Sequence, residues 1–281
     1  MQLPIAYLGP AGTYSEMAAQ TWAQHLSQRF DQPCVLHPYS TIAKALYAVA
    51  EGETLYAVVP VENSIEGGVT FTLDTLWQLD QLQIQEALVL PILHALISYC
   101  PDLARLTTIY SHPQALSQCQ FWVEQHLPQC QCIATNSTVA ALEQLPQEPQ
   151  AAVIASARAA QLYGCPILRY PVGDHPDNCT RFWLISCTPA PGGSYTSLGF
   201  TLPANVPGAL LKPLQIFAER QINLSRIESR PTKRSLGDYL FFLDLEANSQ
   251  DDRVLSALTE IDRYTELIRV FGSYNVLSGT F

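Results

Sequence analysis

Nowhere in these 281 residues is there an apolar run approaching the roughly 20 positions that a membrane helix needs. Charge is sparse, at 14% of residues against 48% hydrophobic, which provides for a sizeable core and excludes a disordered chain. Basic residues are scarcer still: 15 Lys and Arg stand against 25 Asp and Glu, a formal net charge of −10. Such a field repels nucleic acid and anionic membranes, so neither is expected as a partner. Ligand fingerprints are missing too. No GxGxxG follows a strand and no phosphate loop of the form GxxxxGK(S/T) occurs, which argues against a nucleotide. There is no HExxH and no Cys/His ligand set for a metal, and no GxSxG elbow for a serine hydrolase. Chemistry without cofactor or metal is therefore expected.

The eight cysteines, at 34, 100, 119, 130, 132, 165, 179 and 187, include no CxxC pair and mostly sit in apolar segments. They read as small buried hydrophobes in a reducing compartment. No basic stretch leading into an apolar segment opens the sequence, so the chain is expected to be unexported and cytoplasmic. The Asn-x-Ser/Thr triplets at Asn136, Asn178 and Asn223 are then accidental.

Composition changes sharply near residue 188. Every Cys and His precedes it, and Thr188-Pro-Ala-Pro-Gly-Gly-Ser194 forms a turn-rich linker. Two domains are expected, at 1–187 and 195–274. Residues 1–187 hold 6 Lys and Arg against 15 Asp and Glu, a net of −9, so an anionic substrate there must be held by local groups.

In the first domain a short apolar strand, a polar turn and an amphipathic helix recur: after Ile5–Leu8, Tyr56–Val61, Leu106–Tyr110 (with one helix to Glu124), Cys132–Ala134, and Ala151–Ile154 (with a helix ending at Gly164). That alternation predicts an α/β fold with a largely parallel sheet. In such sheets ligands bind at the carboxyl ends of strands, beside helix N-termini. The turns carry Thr13, Ser15, Asn63, Ser64, Ser111, Asn136, Ser137 and Ser156, a set of neutral donors suited to a carboxylate. The plainer alternative is that they are helix caps: Thr13 and Glu16 fit a capping box, and Pro113 suits a first helical position. The second domain reads as strand, helix, two strands, helix, strand (Leu198–Leu202 to Ile268–Phe271), the βαββαβ order of a ferredoxin-like sheet covered on one face.

Six motifs occur in order: Gly9-Pro-Ala-Gly-Thr-Tyr-Ser15, Pro60-Val-Glu-Asn-Ser64 with Gly67-Gly-Val69, Ser111-His-Pro-Gln114, Asn178-Cys-Thr-Arg-Phe182, Asn205-Val-Pro-Gly-Ala-Leu210 and Glu228-Ser-Arg-Pro231. The first four resemble the signature of the prephenate dehydratase family, and the last two resemble its attached ACT regulatory domain. The resemblance implies a two-lobed, periplasmic-binding-protein-like catalytic domain followed by the ACT domain. It also implies decarboxylating dehydration of prephenate to phenylpyruvate, with feedback by L-phenylalanine. The Gly-Pro motif begins at residue 9, so the chorismate mutase domain that often precedes it is expected to be missing. Leu211 stands where many members have valine, a swap expected to alter effector affinity only modestly.

The reaction expels carbon dioxide and a ring hydroxyl, and aromatisation drives it. A site of few, neutral donors suits it better than one lined with arginine. The resemblance marks Thr180 as essential, here as a donor to the leaving hydroxyl, with Asn63, Ser111 and Gln118 orienting the substrate. Thr13, Ser15, Ser64, Asn136 and Ser137 are candidate anion contacts. Phe182 is either a wall for the ring or core. Arg181 either meets a substrate carboxylate or pairs with a structural acid such as Asp174. Glu62 reads as a solvated carboxylate and His112 as a neutral cap. The resemblance assigns the effector to Asn205, Gly208, Ala209, Leu210, Leu211, Glu228, Ser229, Arg230 and Pro231, between ACT domains of a homodimer or homotetramer.

Arogenate dehydratase, acting on the amino analogue, is the neighbouring alternative. A two-lobed solute-binding protein for small anions and a non-catalytic amino-acid sensor are the alternatives from other classes. Turnover of prephenate is expected to persist in EDTA and to ignore added nucleotides. A loss of activity that added metal restores would contradict the cofactor-free reading.

Overall fold

The structure, a computed structural model, describes residues 2–136 and 138–277. The chain begins with β1 (Leu3–Leu8), α1 (Tyr14–Phe30), β2 (Cys34–Tyr39), α2 (Ile42–Ala50), β3 (Tyr56–Asn63), β4 (Gly67–Gly68), α3 (Thr70–Gln78) and β5 (Gln83–Pro91). β6 (His94–Ile97), β7 (Thr108–Ser111), α4 (Pro113–Ser117), α5 (Gln120–His126), β8 (Gln131–Ala134), α6 (Thr138–Gln144), β9 (Ala151–Ser156), α7 (Ala157–Tyr163) and β10 (Ile167–Arg169) follow. It ends with β11 (Cys179–Ser186), β12 (Tyr195–Thr201), α8 (Leu211–Glu219), β13 (Leu224–Pro231), β14 (Tyr239–Leu245), α9 (Asp252–Ile261) and β15 (Leu267–Leu277). These elements form two compact units: Met1–Leu8 with Ala18–Val89 and Arg181–Phe281, and Gly9–Met17 with Leu90–Thr180.

In the first unit, ten strands of the described chain share one sheet, in the order β13-β14-β12-β15-β5-β11-β3-β1-β2, with β4 on β3. β1, β2 and β3 are parallel, as the strand–helix alternation predicts. The β13-β14-β12-β15 portion is antiparallel and has the ferredoxin-like order. Leu198, Phe200, Leu243 and Leu245 face α8 and α9, where they meet Phe217, Val254 and Ile261. The alternate residues of those strands are also covered. Leu240, Phe242, Phe271 and Tyr274 join a second core with Val61, Leu73, Leu76 and Trp183. The one-faced sheet expected from sequence is therefore buried on both faces. Gly199 permits this: Trp77 and Phe271 lie 3.3 and 3.2 Å from where its Cβ would stand. The last strand, expected at Ile268–Phe271, runs on to Leu277 and pairs Asn275–Leu277 with Glu86–Leu88 of β5.

The second unit is a five-stranded sheet, in the order β10-β6-β9-β7-β8. β9 is buried throughout, and its period of two divides it between two cores. Val153 and Ala155 pack with Leu142 and Ala160; Ala152 and Ile154 pack with Leu96, Leu106 and Val123. Gly164 caps α7 in the left-handed conformation (φ 63°), as its position predicts. The single helix expected from Pro113 to Glu124 is instead broken after α4. The Asp174 carboxylate accepts from the N–H groups of Phe121 (3.0 Å) and Trp122 (2.8 Å), so a new helix start is stabilised there.

Candidate active site

The break between α4 and α5 places Gln118 at the end of a helix, nearly buried. Its Oε1 accepts from Asn178 Nδ2 at 3.0 Å and lies 2.9 Å from Nε2 of His94, which opens β6 and is 5% exposed. Tyr14, the first residue of α1, donates its hydroxyl to the Leu93 carbonyl at 2.8 Å and stacks edge-on against His94. Burial keeps the titratable groups of this cluster uncharged. It pushes the His94 imidazole below its ordinary pKa, partly offset by the bond to Gln118. It pushes the Tyr14 phenol upward, and the Cys119 thiol up to about 12. Thr180, two residues after Asn178, is 8% exposed in the second position of β11. Tyr14 lies in the Gly-Pro motif but was not singled out, and His94 carried no motif signal; the clue to His94 was a lone polar residue inside the apolar run Leu93-His-Ala-Leu-Ile97.

Other hydroxyls of the second unit are engaged locally. Ser111 donates to the Ile154 carbonyl at 2.6 Å. Ser156 caps α7 through Ala159 N–H and donates to the Gly12 carbonyl at 2.6 Å. Gly12 has φ +85° and packs against Ala159, so the Gly-Pro motif and the start of α7 are fastened together. Thr13 accepts from the Glu16 N–H at 3.2 Å, a bond of the expected capping box. The Glu16 carboxylate accepts from Gly12 N–H at 2.6 Å and faces Arg158 at 3.4 Å. Ser15 is buried and Asn136 is exposed, while Ser137 lies outside the described residues. His112 caps α4, as expected: its Nδ1 accepts from Gln114 N–H at 3.3 Å.

In the first unit, Asn63 Oδ1 accepts from the N–H groups of Ile65 and Glu66, each at 3.0 Å, closing the turn that carries exposed Ser64. Phe182 is 2% exposed, which makes it a core side chain. Arg181 pairs with a structural acid, one of the two alternatives, but that acid is not Asp174. Asp174 caps α5, and Arg181 instead donates to the buried Asp244 carboxylate at 3.1 Å and lies 3.8 Å from Glu62. Asp244 also accepts from Arg226 at 3.3 Å and from Ser197 at 2.5 Å. Arg226 reaches on to Glu228 at 3.1 Å. Burial disfavours the Arg226 charge, but Asp244 and Glu228 outweigh it and raise its pKa.

The effector candidates lie in this unit as well. The Glu228 carboxylate closes over Gly68, leaving no room for a side chain there. Arg230 forms a two-pronged bond to Asp74 of α3, at 3.1 and 3.2 Å, and Lys233 adds a third at 2.7 Å. Burial raises the Asp74 pKa, but these partners outweigh it and hold the carboxyl below its ordinary value. The stabilisation is complete above a carboxylate pKa of about 4 and is lost as pH falls through the lowered value. Around the Asn205 motif, α8 begins at Leu211. Before it, the N–H groups of Ala209 and Leu211 bond to the Val206 and Gly208 carbonyls in a turn that includes Leu210. Asn205, Leu211, Ser229 and Pro231 are exposed.

Fold and site together define an α/β chain with a neutral polar cluster and a ferredoxin-like sheet built onto its first unit. A prephenate dehydratase model matches residues 5–190, and an ACT domain model matches 196–263. The chain belongs to the prephenate dehydratase family. It is 36% identical to prephenate dehydratase of Lactococcus lactis subsp. cremoris (strain MG1363) over 284 residues, covering 98% of this chain and 99% of the relative. Among solved structures, prephenate dehydratase in complex with L-Phe from Arthrobacter aurescens aligns with TM-score 0.83 at 36% identity, over 97% of this chain and 90% of that one. GqqA, described as a novel type of quorum quenching acylase, aligns with TM-score 0.82 at 28% identity, over 98% of both chains. The α/β catalytic fold with a C-terminal ACT domain, expected from sequence, holds.

Removing the Asp244 carboxylate leaves two guanidinium groups short of their shared acceptor. Asp244→Ala is expected to destabilise the protein by about 3–5 kcal/mol, read from denaturant unfolding. A loss below about 1 kcal/mol, the range of an exposed pair, would show the network to be peripheral.

Proposed function

We propose that this chain catalyses the decarboxylating dehydration of prephenate to phenylpyruvate, a hydro-lyase step of phenylalanine biosynthesis, and that L-phenylalanine inhibits it. The observation that carries the reading is the likeness to named prephenate dehydratases over nearly the whole chain, with Gln118 bonded to a histidine whose pKa burial lowers and Thr180 itself buried. The carbon–carbon bond to the ring carboxylate breaks, and its electron pair completes the aromatic ring as carbon dioxide leaves. The carbon–oxygen bond to the ring hydroxyl breaks at the other end, and hydroxide takes up a proton to leave as water. Thr180 donates a hydrogen bond to that departing oxygen, with solvent as the proton source. Asn63, Ser111 and Gln118 orient the substrate. Ser111, whose proton goes to Ile154, serves as an acceptor. Neutral surroundings favour a step in which the carboxylate loses its charge.

In this reading residues 1–187 form the catalytic domain and 195–274 the regulatory domain, supported by the extents of the two family matches. Phenylalanine binds at Asn205–Leu211 and Glu228–Pro231, where Glu228 and Arg230 act through their bonds to Arg226 and Asp74. The chain assembles as a homodimer or homotetramer, for which the outermost strand β13, with Ile227 49% exposed, supplies an edge. Residence in the cytoplasm accords with a biosynthetic role, and no helix among the described residues is long and apolar enough to cross a membrane. The acylase activity described for GqqA belongs to a protein of lower identity than the two dehydratases, so dehydration is the favoured reading.

Thr180→Ala is expected to lower kcat by about two to three orders of magnitude with little change in KM, the effect of losing one positioned donor. Thr180→Ser is expected to recover much of the rate. If the serine variant were as slow as the alanine variant, the methyl group and not the hydroxyl would be what matters.

A further inference from the structure

The cluster around Gln118 contains a buried histidine that the dehydration mechanism does not use. His94 Nε2 and Asn178 Nδ2 converge on one oxygen, Gln118 Oε1, at 2.9 and 3.0 Å. A carboxamide oxygen can only accept, so both partners are donors and the imidazole carries its proton on Nε2. Nδ1 lies 3.4 Å from the Tyr14 hydroxyl, whose single proton goes to the nearer Leu93 carbonyl at 2.8 Å. The backbone holds both residues too. The His94 carbonyl accepts from Val172 N–H at 2.9 Å, and the Gln118 carbonyl accepts from Asp174 N–H at 2.8 Å. The segment 172–174 thus straps His94 to Gln118 while Asp174 caps the helix that follows.

We propose that His94 is a positioning residue for dehydration: it fixes the Gln118 carboxamide oxygen, and thereby turns the Nε2 end of that amide to one orientation toward the substrate. The proposal rests on the reading that Gln118 contacts substrate. An imidazole suits the task because it offers an N–H donor from inside an apolar strand without bringing a charge. Lysine or arginine would supply donors only with a charge, at odds with neutral surroundings. If His94 were merely a satisfied core side chain, its loss would lower stability and leave the reaction untouched.

The test compares His94→Gln, whose amide N–H reaches about as far as Nε2, with His94→Asn, whose amide stops short, and with His94→Leu. Each is made in the wild-type chain and in Gln118→Ala. His94→Gln is expected to keep kcat within about threefold, while His94→Asn and His94→Leu lower it about tenfold or more, the size of one net hydrogen bond, with KM nearly constant. In the Gln118→Ala background the same substitutions are expected to add little, because their effect runs through Gln118. Equal kcat for the Gln and Asn variants would overturn the proposal, even if the Leu variant failed to fold. So would losses of the same factor in both backgrounds. Gln118→Ala alone judges the underlying reading: an unchanged kcat would remove Gln118 from the site, a result separate from any failure of His94.

Discussion

The buried carboxylate of Asp244 gathers parts of the chain that are far apart in sequence. Two arginines and a serine share it, and Glu62 and Glu228 neutralise the outer faces of those arginines. A charge with 2% exposure survives only if its partners are in place, so the carboxylate fixes where Arg181 and Arg226 stand. Arg181 belongs to the Thr-Arg-Phe strand, Glu62 to the Pro-Val-Glu-Asn-Ser strand, and Glu228 opens the Glu-Ser-Arg-Pro motif. Three motifs are therefore joined by one set of ion pairs. The same junction is sealed by Trp183, Phe242, Phe271 and Tyr274 and by the pairing of β15 with β5. The ferredoxin-like sheet is thus an integral part of the first unit. Strand β13 is tied to Gly68 through Glu228 and to α3 through Arg230, and Gly67 pairs with Asn63.

The second unit meets a different constraint. Around Gln118 it keeps a histidine, a tyrosine and a cysteine uncharged by burial and satisfies them with amides and carbonyls. For a reaction that disperses the charge of a carboxylate, neutrality is useful in itself, and a chain of net charge −10 makes no general attraction for the anion. Recognition is then a matter of placed donors, and each donor's orientation depends on what holds it from behind.

Much of this was legible in the sequence, because strand–helix alternation and ordered motifs are local signals. The α/β class, the ferredoxin-like order of the second half, the Gly164 cap and the capping role of His112 all follow from patterns within a few residues. What was not legible depends on partners distant in sequence. The helix break at Gln118 requires Asp174, which lies more than fifty positions away. The partner of Arg181 was sought at Asp174 and found at Asp244. The extension of the last strand to Leu277 depends on its pairing with β5, and the covering of the second sheet face on a core that draws in Leu73, Leu76, Trp77 and Trp183. His94 went unnoticed because a single histidine in an apolar strand has no pattern around it.

The claim that most of this depends on is that the chain converts prephenate and that its ACT sheet reports phenylalanine to the reaction. Phenylpyruvate formation from prephenate, followed by absorbance while L-phenylalanine is titrated in, together with phenylalanine formation from arogenate, followed by chromatography, tests it directly. The account predicts turnover of prephenate in preference to arogenate and a saturable inhibition by L-phenylalanine. Absence of phenylpyruvate from prephenate, or turnover indifferent to L-phenylalanine, would contradict it.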